Sequence, residues 1–276
     1  KLTSRYKRLL ASASIDFAGG ERNLEQMIPF QQHRDRSIRK DAHEARYGFI
    51  AEHQAQFDDI YDQLVQLRTK IAHKVGFADF VPLGYLRMNR ADYDAEMVAS
   101  FRRQIAESVV PLASRLREKQ RQRLGLDNLL YYDEKLFYPT GNATPTGTPE
   151  EIIAAGQTLY EELSRETDAF YQEMITRGLM DLTSRKGKAA GGYCDYLAKF
   201  RAPFIFANFN GTSGDIDVLT HEAGHAFQVW LCRDLNVPEY YFATMEAAEI
   251  PSMGMEFFAW PWMENFFGEQ ADQYRY

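Results

Sequence analysis

His221-Glu222-Ala223-Gly224-His225-Ala226-Phe227-Gln228 is the stretch on which the reading of this 276-residue chain turns. The approach through Ile216, Val218 and Leu219 and the apolar neighbours Ala223, Ala226 and Phe227 make it a buried helix rather than a solvated one. On such a helix the two histidines stand one turn apart on one face. A buried imidazole pair without a partner would be costly, whereas one zinc ion satisfies both. Glu222 then projects beside the metal's open position, which is the layout of a hydrolase.

A zinc ion with a free fourth position needs a third protein ligand. The next acidic pair downstream is in Glu246-Ala247-Ala248-Glu249-Ile250-Pro251-Ser252. On a second helix, acids at i and i+3 share a face. Glu249 is expected as the ligand and Glu246 as the supporting carboxylate that orients a ligand histidine. Pro251 must begin or kink that helix, and it biases Ile250 away from the α region.

The whole chain has 45% hydrophobic and 26% charged residues, an ordinary globular composition. Its net charge of −7, without a basic block, argues against nucleic acid and anionic membranes as main partners. Neither a signal-peptide pattern nor a run long enough to span a bilayer is visible, and oligomeric state leaves no mark. Cys194 and Cys232 lie too far apart in sequence to suggest a disulfide framework and fit a reducing cytoplasm. Cys194 reads either as a nucleophile lacking its histidine or, preferably, as a buried thiol near the site.

The periodicity is mainly that of α-helices, with a small β element. One long amphipathic helix is expected from Asp35 to about Lys74, closed by Gly76. Leu83 to Arg90 is expected as a connection, with Asp92 capping the helix that follows. The Thr, Gly and Pro loop at 139–148 is either a subdomain boundary or a loop within one helical fold. Thr148-Pro149-Glu150-Glu151 opens a helix to about Arg177. Phe204 to Phe209 reads as a strand, Asp215 as the cap of the zinc helix, and Ile15 to Leu24 as a hairpin.

The His221–Gln228 run, Phe206-Ala207-Asn208-Phe209-Asn210-Gly211-Thr212 and Glu249-Ile250-Pro251-Ser252-Met253 together resemble the zinc-dependent oligoendopeptidase F group of the thimet-oligopeptidase-like metallopeptidases. The similarity extends to Gly191-Gly192-Tyr193-Cys194, Tyr131-Tyr132-Asp133 and Leu83-Gly84-Tyr85-Leu86-Arg87-Met88. It implies a helical endopeptidase acting on short peptides, with zinc held by His221, His225 and Glu249 and Glu222 as the base. In such enzymes an edge strand beside the zinc helix pairs with the substrate. Phe206, Ala207 and Asn208 are the candidates here, against a core-strand reading, with Gly191 and Gly192 as further groove residues or a plain turn. The resemblance also implies that the chain is a central fragment of a longer protein, truncated at both ends, whose oxyanion donors lie elsewhere; zinc binding with weak or absent turnover of the isolated chain follows. The rival readings are a helical zinc carboxypeptidase and a non-catalytic zinc-binding scaffold.

Overall fold

A computed structural model describes residues 1–275, and the chain divides into two compact units: Lys1–Leu9 with Phe30–Gly141, and Leu10–Pro29 with Asn142–Tyr276. The change of unit at Gly141 falls inside the loop rich in Thr, Gly and Pro. Both units are mainly helical. No helix among the described residues is long and apolar enough to cross a membrane.

In chain order, α1 (Leu2–Ala11) precedes a hairpin of β1 (Ile15–Phe17) and β2 (Gly20–Arg22), and α2 (Ile28–Gln31) follows. The hairpin turn holds Ala18 and Gly19 at φ 51° and 76°, the left-handed backbone that a tight hairpin requires. The long helix expected from Asp35 is two helices, α3 (Arg36–Glu52) and α4 (Gln54–Lys74). The break is at His53, whose Nδ1 lies 2.9 Å from the Phe49 carbonyl and whose ring packs on Phe49, so a side chain competes for the helix's own acceptor. Asp35 caps α3, accepting from the Ser37 amide at 2.8 Å.

The expected connection at Leu83 is instead largely helix, α5 (Phe80–Arg87). Asp94, not Asp92, caps α6 (Ala95–Gln104), accepting from the amides of Glu96 and Met97. A π-turn at Ile105–Val109 joins α6 to α7 (Val110–Arg123). Pro111 sits in the first turn of α7, where its missing N–H does not break a complete ladder.

The fully buried Asp133 knits the first unit together. It accepts from Arg36 Nη2 at 2.8 Å, from the buried Arg39 Nη2 at 2.6 Å and from the Leu130 amide at 3.0 Å. Burial alone would raise its pKa, but the two guanidinium groups hold it below the usual carboxylate range. Asp133→Asn leaves the buried Arg39 without its counter-charge and is expected to cost about 3–5 kcal/mol. Because the folded pKa is depressed, this stabilisation is complete above about pH 4 and is lost as pH falls through the folded value. Urea titrations across that range should show the acid loss in the parent and a flatter profile in the variant. An Asp133→Asn variant as stable as the parent at neutral pH would remove the argument.

In the second unit, α8 (Pro149–Leu163) starts at a full capping box made by Thr148 and Glu151. The helix does not run on to Arg177: Ser164 is extended, and its hydroxyl caps α9 (Arg165–Thr176) through the Thr167 amide at 3.1 Å. Three strands follow, β3 (Met180–Thr183), β4 (Tyr193–Leu197) and β5 (Ala202–Phe209), in the spatial order β3-β5-β4. The first pair is parallel and the second antiparallel. Next come α10 (Gly214–Cys232), α11 (Glu249–Phe258), α12 (Glu264–Phe267) and α13 (Ala271–Arg275).

Ile216, Leu219, Ala223, Ala226 and Trp230 form the buried stripe of α10. They pack into one core with Leu159, Tyr160, Phe170 and Tyr171 of α8 and α9, Ile205 and Ala207 of β5, and Met255 of α11. That stripe turns His221, Glu222 and His225 to another side of the helix.

Candidate active site

α10 and α11 approach so closely that a Cβ on Gly224 would lie 2.5 Å from the Pro251 carbonyl oxygen and 2.6 Å from Ser252 Cα. Glycine within the motif is therefore what lets α11 bring its first residue, Glu249, to the two histidines. Pro251 falls in the first turn of α11, where an N–H would have no intrahelical partner, so it starts this helix rather than kinking it.

Glu249 Oε2 stands 3.1 Å from His221 Nε2 and 3.2 Å from His225 Nε2. The three potential ligand atoms all lie within 4.8 Å of one another. Two ligands of a tetrahedral zinc ion stand about 3.3 Å apart, so this donor set fits the ion by both chemistry and spacing. Ser252, fully buried, donates to Glu249 Oε2 at 2.7 Å and holds the carboxyl below its usual pKa, with the two histidines acting in the same direction. Burial lowers the pKa of His225, which keeps it neutral as a ligand must be.

The carboxylate that orients His221 is Glu256, which the sequence did not single out. Glu256 Oε1 lies 2.6 Å from His221 Nδ1. Since a carboxylate only accepts, Nδ1 carries the proton and Nε2 keeps the lone pair that faces Glu249. Glu246 is exposed in the turn ahead of α11, so it does not share a helical face with Glu249. Glu256 sits two turns beyond Glu249 on the same helix, a spacing of seven that would have revealed it in the sequence. Glu256→Ala is expected to weaken zinc affinity about 10- to 100-fold without unfolding the chain, checked by competition with a chromogenic chelator. Unchanged affinity would strip Glu256 of that role.

Glu222 is 7% exposed, and its Oε2 has no hydrogen-bond partner among the described residues. Burial raises its pKa, Glu249 pushes the same way, and His221 opposes them. With His221, His225 and Glu249 it lines one cavity of about 380 Å³. Cys194, half-buried, lines it too, and burial and the nearby Glu222 push that thiol up to about 12, which disfavours the thiolate a nucleophile needs.

The expected edge pairing at Phe206, Ala207 and Asn208 is not available, because β5 is the central strand. Phe206 is paired with Asp181 of β3 on one side and Tyr193 of β4 on the other, and Ala207 is core. Asn208 instead anchors the loop leading into β4, donating to the carbonyls of Ala189 and Gly191 at 2.8 Å. β4 is one of the two outer strands of the sheet, and the one whose start reaches the cavity. Gly192 lines the cavity just ahead of it, and a Cβ there would lie 3.1 Å from Val218 and 3.6 Å from Glu222 Oε1. Gly191 has φ +91°, which suits the turn.

Asp215 does not cap α10. It lies within the first turn and accepts from the amides of Asn210 and Gly211, tying the end of β5 to the helix, with burial raising its pKa to about 6. Tyr274 of α13 donates to Asp217, one turn ahead of His221 on α10.

The model of peptidase family M3 matches residues 30–273. PZ peptidase A, solved with an inhibitor, is 57% identical over 99% of this chain and 49% of its own, with a TM-score of 0.97. A Bacillus anthracis protein assigned to oligoendopeptidase F is 58% identical over 99% of this chain and 50% of its own, with a TM-score of 0.96. Group B oligopeptidase PepB of Streptococcus agalactiae is 23% identical over 214 residues, 78% of this chain and 34% of PepB. The chain thus spans about half the length of these solved structures and a third of PepB.

Proposed function

As this chain belongs to peptidase family M3, we propose that it carries the metal site of a zinc endopeptidase that cleaves internal bonds of short peptides. The observation that carries the reading is the convergence of His221 Nε2, His225 Nε2 and Glu249 Oε2 beside a buried oxygen of Glu222 that has no partner among the described residues. His221, His225 and Glu249 would hold zinc, which when bound supplies Lewis-acid polarisation of the scissile carbonyl and acidifies water. Glu222 takes the proton of the attacking water and delivers it to the leaving amine. Its elevated pKa suits both halves of that task. Glu256 fixes the tautomer of His221, and Ser252 fixes the Glu249 carboxylate.

The substrate lies extended along β4, the outer strand next to the cavity, where main-chain groups can pair with it. The endopeptidase reading is favoured over the carboxypeptidase one because the described lining of the cavity has no Arg or Lys for a terminal carboxylate. Three rather than four ligating groups among the described residues favour catalysis over a purely structural metal. The free thiols of Cys194 and Cys232 support a reducing, cytoplasmic setting. An internally quenched peptide blocked at both ends tests the reading. Zinc-dependent cleavage in its interior is expected, whereas cleavage only of peptides with a free C-terminus would overturn it.

A further inference from the structure

The cavity that holds the metal-binding triad does not end there. It continues one helical turn beyond His225 to Gln228 and Val229 of α10, and then to Phe242 and Ala243 in the segment between α10 and α11. Val229, 1% exposed, gives that end an apolar floor, while Phe242 leaves half its surface open.

The segment is held in place from two sides. Gln228 Nε2 donates to the Tyr241 carbonyl at 3.0 Å, fastening it to α10. From β4, the Tyr196 ring packs edge-on against Tyr241 and Phe242, with centroids 5.2 and 6.5 Å apart. A large apolar ring at the wall of a cavity, on a segment that the half-buried Gln228 amide fastens at the preceding residue and with much of the ring's face still wetted, is what an apolar ligand group would cover.

We propose that Gln228, Val229, Phe242 and Ala243 form a specificity pocket that takes an apolar side chain of the residue flanking the scissile bond. This rests on the zinc-peptidase reading, since it is proximity to the triad that makes the occupant a substrate side chain. Phe242 is the selecting wall. Gln228 is a positioning residue that acts through the Tyr241 backbone.

The test uses the zinc-loaded chain and three hydroxamates, measured by calorimetry. Acetohydroxamate has no side chain to place and reports the metal site alone. N-acetyl-leucyl hydroxamate and an isobutylmalonyl hydroxamate put the same isobutyl group on opposite sides of the chelating group. One of the two should bind about tenfold to a hundredfold tighter than acetohydroxamate, as burial of a leucine-sized group implies. Phe242→Ala should erase most of that difference, and Gln228→Ala part of it, with Gln228→Glu, which cannot donate to the Tyr241 carbonyl, behaving like Gln228→Ala. If acetohydroxamate binds but neither isobutyl group adds affinity, or the gain survives Phe242→Ala, the pocket is wrong and the metal site stands. If acetohydroxamate itself does not bind, the metal reading falls and the pocket falls with it.

Discussion

Glu222→Gln is expected to leave zinc bound and to lower peptide turnover by about 10²- to 10⁴-fold, the range over which a positioned general base contributes. Glutamine keeps the size and shape of the side chain, so α10 and its buried stripe are undisturbed. What is lost is the ability to receive a proton. The buried Oε2 of Glu222 has no competing partner among the described residues, and its raised pKa reflects burial first and Glu249 second. A carboxamide at that position can still hydrogen-bond a water but cannot take its proton or return it to the leaving amine. The check is turnover per bound zinc for the parent and the variant prepared side by side. Parent-like turnover in Glu222→Gln, with contaminating peptidase excluded by an inactive His225→Ala preparation, would refute the assignment.

His225→Ala is expected to lower zinc affinity by more than the roughly 10- to 100-fold that follows from losing a supporting residue. It removes one of only three ligating groups among the described residues. It also exposes the difference between a ligand and an orienting group, because Glu256→Ala removes only the acceptor of His221 Nδ1. The predicted order of affinity is therefore parent, then Glu256→Ala, then His225→Ala. Metal analysis after dialysis against a weak chelator reads this order directly. Undiminished tight zinc in His225→Ala would place the ion somewhere else.

The helix that carries His221 and His225 was legible because its information is local. Two histidines four apart and a core stripe at Ile216, Leu219, Ala223, Ala226 and Trp230 specify both the helix and its two faces. Glu249 was legible as the third member of the potential metal-binding group, because it lies in a mostly apolar segment downstream of the motif. Glu256 was missed because the reading paired Glu246 with Glu249, which look like a helical pair only until the helix start at Glu249 is known. The break at His53 was hidden because apolar positions continue at helical spacing on both sides, while the cause is a side chain reaching back to the Phe49 carbonyl.

Strand order was out of reach for a different reason. The segment Ala202–Phe209 has the composition of a buried strand, but whether its edges are free depends on Met180–Thr183 and Tyr193–Leu197 pairing with it, and those contacts are not local. The polar content of Tyr193–Leu197, at the solvent-facing edge, hid it as a strand. Likewise the role of Gly224 is set by the Pro251 and Ser252 backbone, distant in sequence.

In the zinc-peptidase reading proposed above, one zinc ion sits between His221, His225 and Glu249 with a position left for water. Diffraction from crystals of the zinc-loaded chain, collected above and below the zinc absorption edge, tests it most directly. A single anomalous peak per chain is expected, about 2 Å from both Nε2 atoms and from the Glu249 carboxylate, with no fourth protein ligand. A peak elsewhere, or a fourth side chain closing the coordination sphere, would contradict it.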